Sequence, residues 1–324
     1  MDRTAFIKKF GISLVLLLLI IVFSLVSPAF LTLGNILNII RQVSMLGIVS
    51  VGVTFVMVSG GMDLSVGAQV SLVGMVSAWS MLHLGVSPVW AVFLGIFTGI
   101  MLGFLNGYTA VRLGIHPLIV TLATMTIFRG MGYIICGGLP IFGFPESYKF
   151  LGQGYLSIVP IPVIILIFAV ILGSFILGRT YFGRYFYAMG GNEEAARLSG
   201  LDINRLKVLV YTISGFFAGI AGVILLSRVN SAQPNAGMGY EFDVMTAAVL
   251  GGVSIKGGEG KITGVFIGVL IIGVLSNGLI LMNVGDYYQN VIKGLVLIMA
   301  VAFDSMQHIS GKKKGSQKEI SLSE

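Results

Sequence analysis

Five polar side chains stand inside or beside long apolar runs of this chain: Asp63, Gln69, Asn106, Asn277 and Gln289. An acid at membrane depth is costly and is often kept for function. Carboxamides offer donors and acceptors on one side chain, which is what a route for a neutral polyhydroxylated solute requires. Each residue also has a plainer reading, because hydrogen bonds between membrane helices give the same signal. Asp63 follows two glycines and a methionine and also suits the start of a helix, its oxygen accepting free backbone N–H groups with Ser65 supporting the turn. Arg129 and Lys293 each precede a glycine within apolar runs, with Glu241, Asp243 and Asp286 as candidate ion-pair partners. None of these residues forms a catalytic constellation. The sequence has no GxxxxGK[ST] phosphate loop and no GxGxxG after a plausible strand, so the chain is not expected to harness ATP itself. His83, His116 and His308 lack metal-ligand spacing, so no metal or other cofactor is expected in the chain. The single Cys136 reads as core packing.

A second polar feature is a whole segment, residues 179–207, RTYFGRYFYAMGGNEEAARLSGLDINRLK. Asn192 is a good N-cap, since its side-chain oxygen can accept an N–H of the first turn. Glu193 and Glu194 suit the positive end of a helix, and Arg197 followed by Gly200 suits its close. These residues spell a helix of about two turns, roughly Glu193 to Ser199. A helix that short is marginal alone in water. Its apolar residues Ala195, Ala196 and Leu198 therefore need a surface to pack on.

The elements that must position these residues are membrane helices. Of 324 residues, 56% are hydrophobic and only 10% charged, well below the charge of soluble domains. The net charge of +7 reads as positive-inside bias rather than nucleic-acid binding. The fold class is all-α and polytopic, with about ten spans expected at 12–30, 42–59, 64–83, 88–110, 117–136, 156–178, 207–228, 241–256, 262–282 and 288–306. The eighth is short and ends in VLGGVSIKGGEG, so it reads as broken or re-entrant. The first follows Arg3, Lys8 and Lys9 and reads as a retained span rather than a cleaved signal. The basic residues of 179–206 and of the tail place both termini and the segment 179–207 in the cytoplasm. Residues 1–311 form one transmembrane domain and 312–324 a cytoplasmic tail.

Glycines are spread through the spans. Gly95, Gly99, Gly103 and Gly107 fall on one helix face, and Gly260, Gly264 and Gly268 repeat the device, as close helix packing demands. There is also an internal echo: GIFTGIMLGFLNG at 95–107 resembles GVFIGVLIIGVLSNG at 264–278. The copies lie five spans apart and so in opposite orientation, the mark of an inverted repeat of five plus five. Chance likeness between glycine-rich apolar helices is the alternative.

Four stretches carry a resemblance to a known family: GGMDLSVG at 60–67, FGRYFYAMGGNEEAARLSGLDINRLKVLVY at 182–211, NSAQPNAGMGYEFDVMTAAVLGG at 230–252 and GGEGKITGVFIGVLIIGVLSNGL at 257–279. The chain resembles the permease subunits of bacterial monosaccharide ABC importers, most of all the ribose branch. Permeases for xylose, galactose, arabinose, rhamnose, inositol and the autoinducer sugar look similar in the same stretches, and Met238, Phe242 and Val253 depart from the ribose pattern. The resemblance implies a non-catalytic subunit of the bacterial inner membrane that pairs with a second permease subunit, as a homodimer. It further implies a cytoplasmic ATPase that holds ATP and Mg, and an extracytoplasmic sugar-binding protein. By the same resemblance Gly190, Gly191, Asn192, Glu193, Glu194, Ala195, Ala196, Arg197, Leu198, Ser199 and Gly200 match the segment that docks on the ATPase. A secondary transporter or channel working alone, and a membrane enzyme, are the readings of other classes.

Overall fold

The computed structural model describes residues 3–320, and the side chains of 11–302, 304 and 305. The basic residues of the N-terminus, His308 and the tail 312–324 lie outside the described side chains. The chain runs α1 (Arg3–Val26), α2 (Leu33–Val58), α3 (Val66–His83), α4 (Pro88–Leu113), α5 (Pro117–Cys136) and α6 (Glu146–Gln153), then a two-stranded ladder of β1 (Tyr155–Leu156) and β2 (Val159–Pro160). It continues through α7 (Ile161–Arg179), α8 (Tyr181–Gly191), α9 (Glu193–Leu198), α10 (Ile203–Val229), α11 (Tyr240–Leu250), α12 (Ile262–Leu281) and α13 (Asp286–Ile320). Among the described residues six helices are long and apolar enough to cross a membrane: α2, α4, α5, α7, α10 and α12.

The core gathers around α2 and α10. Ile48, Val53, Phe55, Val56 and Val58 of α2 and Phe217, Ala218 and Ala221 of α10 are buried together, whereas the apolar surfaces of α4, α5 and α7 are largely exposed. The glycine stripe of α4 explains how α10 comes so close. A Cβ on Gly99 would lie 2.7 Å from Gly219 Cα, and one on Gly107 2.7 Å from Val208 Cα, so only hydrogen fits there. In the second stripe Gly264 lies against the backbone of Gly251, the C-cap of α11, and Gly268 against that of Ala247 within it. Gly260, by contrast, is not on the helix: it sits before the N-cap Lys261 in a left-handed conformation, φ +143°.

Several boundaries differ from the hydropathy reading. Helix α2 begins nine residues earlier than expected, because Asn35 finds a polar partner inside the protein and the helix tolerates Gln42 and Arg41. The eighth stretch is a helix of only 11 residues, about 16 Å long at 1.5 Å per residue, and too short to cross about 30 Å of hydrocarbon. The amphipathic α6 was not foreseen. It covers one end of α10, where Gly152 N donates to Ser227 Oγ at 2.7 Å and Ser227 Oγ donates to Tyr148 O at 2.6 Å. The segment 179–207 lies at the opposite end of α10, where α8 and α9 precede Ile203.

Candidate functional site

The short helix in 179–207 forms where its capping residues place it. Asn192 is extended (φ −158°, ψ 101°) and its Oδ1 accepts the Ala195 N–H at 2.9 Å. At the other end Gly200 is left-handed, φ +87°. The Gly200 N–H donates to Arg197 O at 3.0 Å and the Leu201 N–H to Ala196 O at 3.2 Å, the paired bonds of a Schellman close. Glu193 ties the helix to its neighbour: its carboxylate lies 3.0 Å from Arg197 Nη2 and 2.8 Å from Lys207 Nζ at the start of α10. The two faces of α9 then separate. Ala196 is buried against the rest of the chain, while Glu194, Ala195 and Leu198 face outward, Leu198 with 83% of its surface exposed. Ala196 is thus an inward packing residue, although its type alone gave no way to tell it from Ala195.

The intramembrane residues resolve into separate places. Asp63, Gln69 and Asn106 converge, and two serines join them. Asp63 is fully buried in the break between α2 and α3. Its Oδ1 accepts from Ser65 N at 3.0 Å and Ser65 Oγ at 2.6 Å. Its Oδ2 accepts from Ser214 Oγ of α10 at 3.0 Å and Gln69 Nε2 at 3.3 Å. Ser65 Oγ in turn accepts from Asn106 Nδ2 of α4 at 2.7 Å and from Gln69 Nε2 at 2.8 Å. Asp63 is not the N-cap of α3; that position is Ser65, and Asp63 closes a turn two residues earlier. Beside it the Tyr211 hydroxyl donates to Met62 O at 3.0 Å. The network joins α3, α4 and α10, and leaves Gln69 Oε1 and Asn106 Oδ1 buried without a partner among the described residues. Ser214 was not singled out from sequence. It is one serine among many, and nothing short of the fold marks it as Asp63's partner.

Asn277 and Gln289 lie elsewhere. Asn277 exchanges two hydrogen bonds of 2.9 Å with Asn35 of α2, and Gln289 donates to Val284 O at 2.8 Å. They hold helix ends rather than join the Asp63 cluster.

A second break follows α10. Residues 230–239 form turns that lead into α11, with Glu241 and Asp243 in its first turn. Lys293 of α13 pairs with Asp243 at 2.8 Å, which decides among the three acids open to it. Glu241 is 4% exposed; its Oε1 accepts the Gly239 N–H at 3.3 Å and its Oε2 has no hydrogen-bond partner among the described residues. Arg129 Nε and Nη2 are likewise buried and unpartnered among the described residues. A cavity of about 150 Å³ lies beside this break, lined by Ser71, Ser231, Gln233 and Tyr240 among apolar side chains. No cluster of metal-ligating residues occurs among the described residues.

Six helices long and apolar enough to cross a membrane, with polar breaks between buried helices, fit a membrane transport protein. The family model for the branched-chain amino acid transport system / permease component matches residues 35–301, and the chain belongs to that family. It is 46% identical to the ribose import permease protein of Bacillus subtilis (strain 168) over 92% of each chain. It is 41% identical to the ribose import permease protein of Escherichia coli (strain K12), over 90% of this chain and 91% of that one. The L-arabinose transport system permease protein of the same strain is 40% identical over 91% of this chain and 90% of its own. No solved structure matches. The chain is a multi-pass membrane permease.

Proposed function

We propose that the chain is the membrane-spanning subunit of an ATP-driven importer of a monosaccharide, with ribose as the substrate. The observation that carries the reading is α9: a helix of six residues, closed at both ends, with Leu198 held in the open on a chain that has no phosphate loop of its own. An apolar side chain on a fixed helix needs a groove, and a cytoplasmic ATPase holding ATP and Mg supplies one. The names of the relatives support the sugar, and an extracytoplasmic binding protein would deliver it. A second copy of the chain would complete the pathway, in the bacterial inner membrane with both termini and the α8–α9 segment inside. Within the pathway, Gln69 and Asn106 are the polar contacts favoured here, because each keeps a buried oxygen free; Asp63 positions them.

We further read the bundle as ten helical stretches in two inverted halves, α3 matching the short α11, α4 matching α12, and α2 matching α10. The packing of the two glycine-rich helices supports it. Helix α4 presents Gly95 to α3 and Gly103 to α10, while α12 presents Gly268 to α11 and Gly273 to α2.

The test is Leu198→Asp in the assembled importer. Insertion is expected to be normal, co-purification of the ATPase to weaken, and ribose uptake to fall about tenfold or more. Normal uptake with the ATPase still bound would remove the docking role of α9. Uptake that needs no ATPase at all would favour a transporter that works alone.

A further inference from the structure

Three chain segments far apart in sequence meet at glycine backbone near the base of α9. The first is the end of α2 with the break that follows it (Val58–Gly61), the second the end of α8 (Gly190 and Gly191), and the third the loop between α11 and α12 (Lys256–Gly260). The Gly258 N–H donates to Val58 O at 2.8 Å, stitching the third segment to the first. A Cβ on Gly190 would overlap Val58 O and lie 2.6 Å from Gly258 N. A Cβ on Gly257 would lie 2.7 Å from both Gly60 N and Gly60 Cα and 2.9 Å from Gly190 O, and one on Gly258 2.8 Å from Gly191 Cα. Backbone thus touches backbone on all three sides. Gly257 and Gly258 also hold positive φ, 84° and 76°, which side-chain-bearing residues rarely adopt. One side-chain bond braces the junction: the Tyr187 hydroxyl of α8 donates to Gly260 O at 2.6 Å.

The connections leading away from this junction give it a role. Helix α8 ends at Asn192, which is also the N-cap of α9, so the two helices share one residue as an elbow. On the α2 side, Gly60 and Gly61 lead directly to Met62 and Asp63, whose partners Tyr211 and Ser214 lie on α10, and then to Ser65, which accepts from Asn106 of α4. On the third side, the loop leads back to α11 and forward to α12. Beside the junction a crevice of about 120 Å³, lined by Gly60, Gly61, Met189, Glu193, Lys207 and Tyr211, leaves room for the segments to shift.

Resting on the proposed function of α9 as the docking helix, we propose that Gly60, Gly190, Gly257 and Gly258 are positioning residues: they form the backbone joint through which movement of α9 reaches both breaks of the bundle. Close packing without side chains makes the joint stiff to compression, since backbone atoms cannot rotate aside. A push on α8 then displaces the other two segments instead of being absorbed.

The test uses the full importer, permease with ATPase and sugar-binding protein, reconstituted in vesicles. Three readouts are taken together: co-purification of the ATPase, ATP hydrolysis, and labelled ribose uptake. Gly190→Ala and Gly258→Ala are expected to keep the ATPase bound and hydrolysing while uptake per ATP falls about tenfold. Gly178→Ala, where a Cβ meets nothing within 4 Å, is the control and is expected to match wild type. Should the glycine variants fail to accumulate, Tyr187→Phe decides, because it removes only the brace and leaves the ring. It is expected to lower uptake per ATP severalfold in an assembled complex. Wild-type uptake per ATP in Tyr187→Phe, or in an assembled Gly190→Ala complex, overturns the proposal. A wild-type chain that never associates with the ATPase overturns the docking reading instead, so the two failures are distinguishable.

Discussion

The two breaks of this permease, after α2 and after α10, share a plan and differ in how their acids are held. In the first, the Asp63 carboxylate accepts four hydrogen bonds, all from neutral groups of Ser65, Gln69 and Ser214. In the second, among the described residues, Glu241 accepts one long backbone bond, leaves Oε2 without a hydrogen bond and feels the charge of Arg129 only at a distance, while two Arg129 nitrogens make no hydrogen bond. A buried polar group with a full set of partners rigidifies its surroundings, whereas one left short is a standing cost. The first break therefore acts as a fixed point that joins α3, α4 and α10. The second is less committed to this arrangement, and it borders a cavity between α3 and α10.

The comparison can be broken by single side-chain changes. The largest effect is expected from Asp63→Asn, which brings an N–H₂ donor to a site where every neighbour already donates. It should cost about 2–3 kcal/mol, read as a lower unfolding temperature in detergent. Next comes Asn277→Ala, which lies in neither break; it loses the reciprocal pair with Asn35 and should cost about 1–2 kcal/mol while uptake per folded molecule stays unchanged. The smallest effect on stability is expected from Glu241→Gln, about 1 kcal/mol, because the oxygen that accepts from Gly239 is kept and only the attraction to the Arg129 charge is lost. If Glu241→Gln destabilises as much as Asp63→Asn, the two breaks do not differ in the way described.

Local features were legible in the sequence and long-range ones were not. The caps of α9 involve partners within six residues, so Asn192, Gly200 and the run between them suffice to draw the helix. Which alanine faces inward depends on what lies beneath the helix, and Ala195 and Ala196 could not be told apart. The fifth span, read from its apolar run as 117–136, coincides with α5, which Pro117 opens and Gly137 closes. Helix α2 was cut short because a hydropathy reading discounts Asn35, Arg41 and Gln42, and only the fold supplies Asn277 to Asn35 and Tyr155 to Arg41. The same limit kept Ser214 out of the Asp63 cluster: the two are 151 residues apart, and a serine carries no mark of its partner.

By itself, then, the sequence determined the kind of molecule this is: an apolar, glycine-rich chain with a capped polar helix that must sit outside the lipid. Those properties follow from composition and from bonds that close within a turn. Tertiary structure alone decided which polar groups meet, that Lys293 takes Asp243, that Asn277 stands apart from Asn106, and that three glycine segments touch at the foot of α9. Each of these is a contact between segments far apart along the chain, fixed by how the helices pack and not by any residue's own preference.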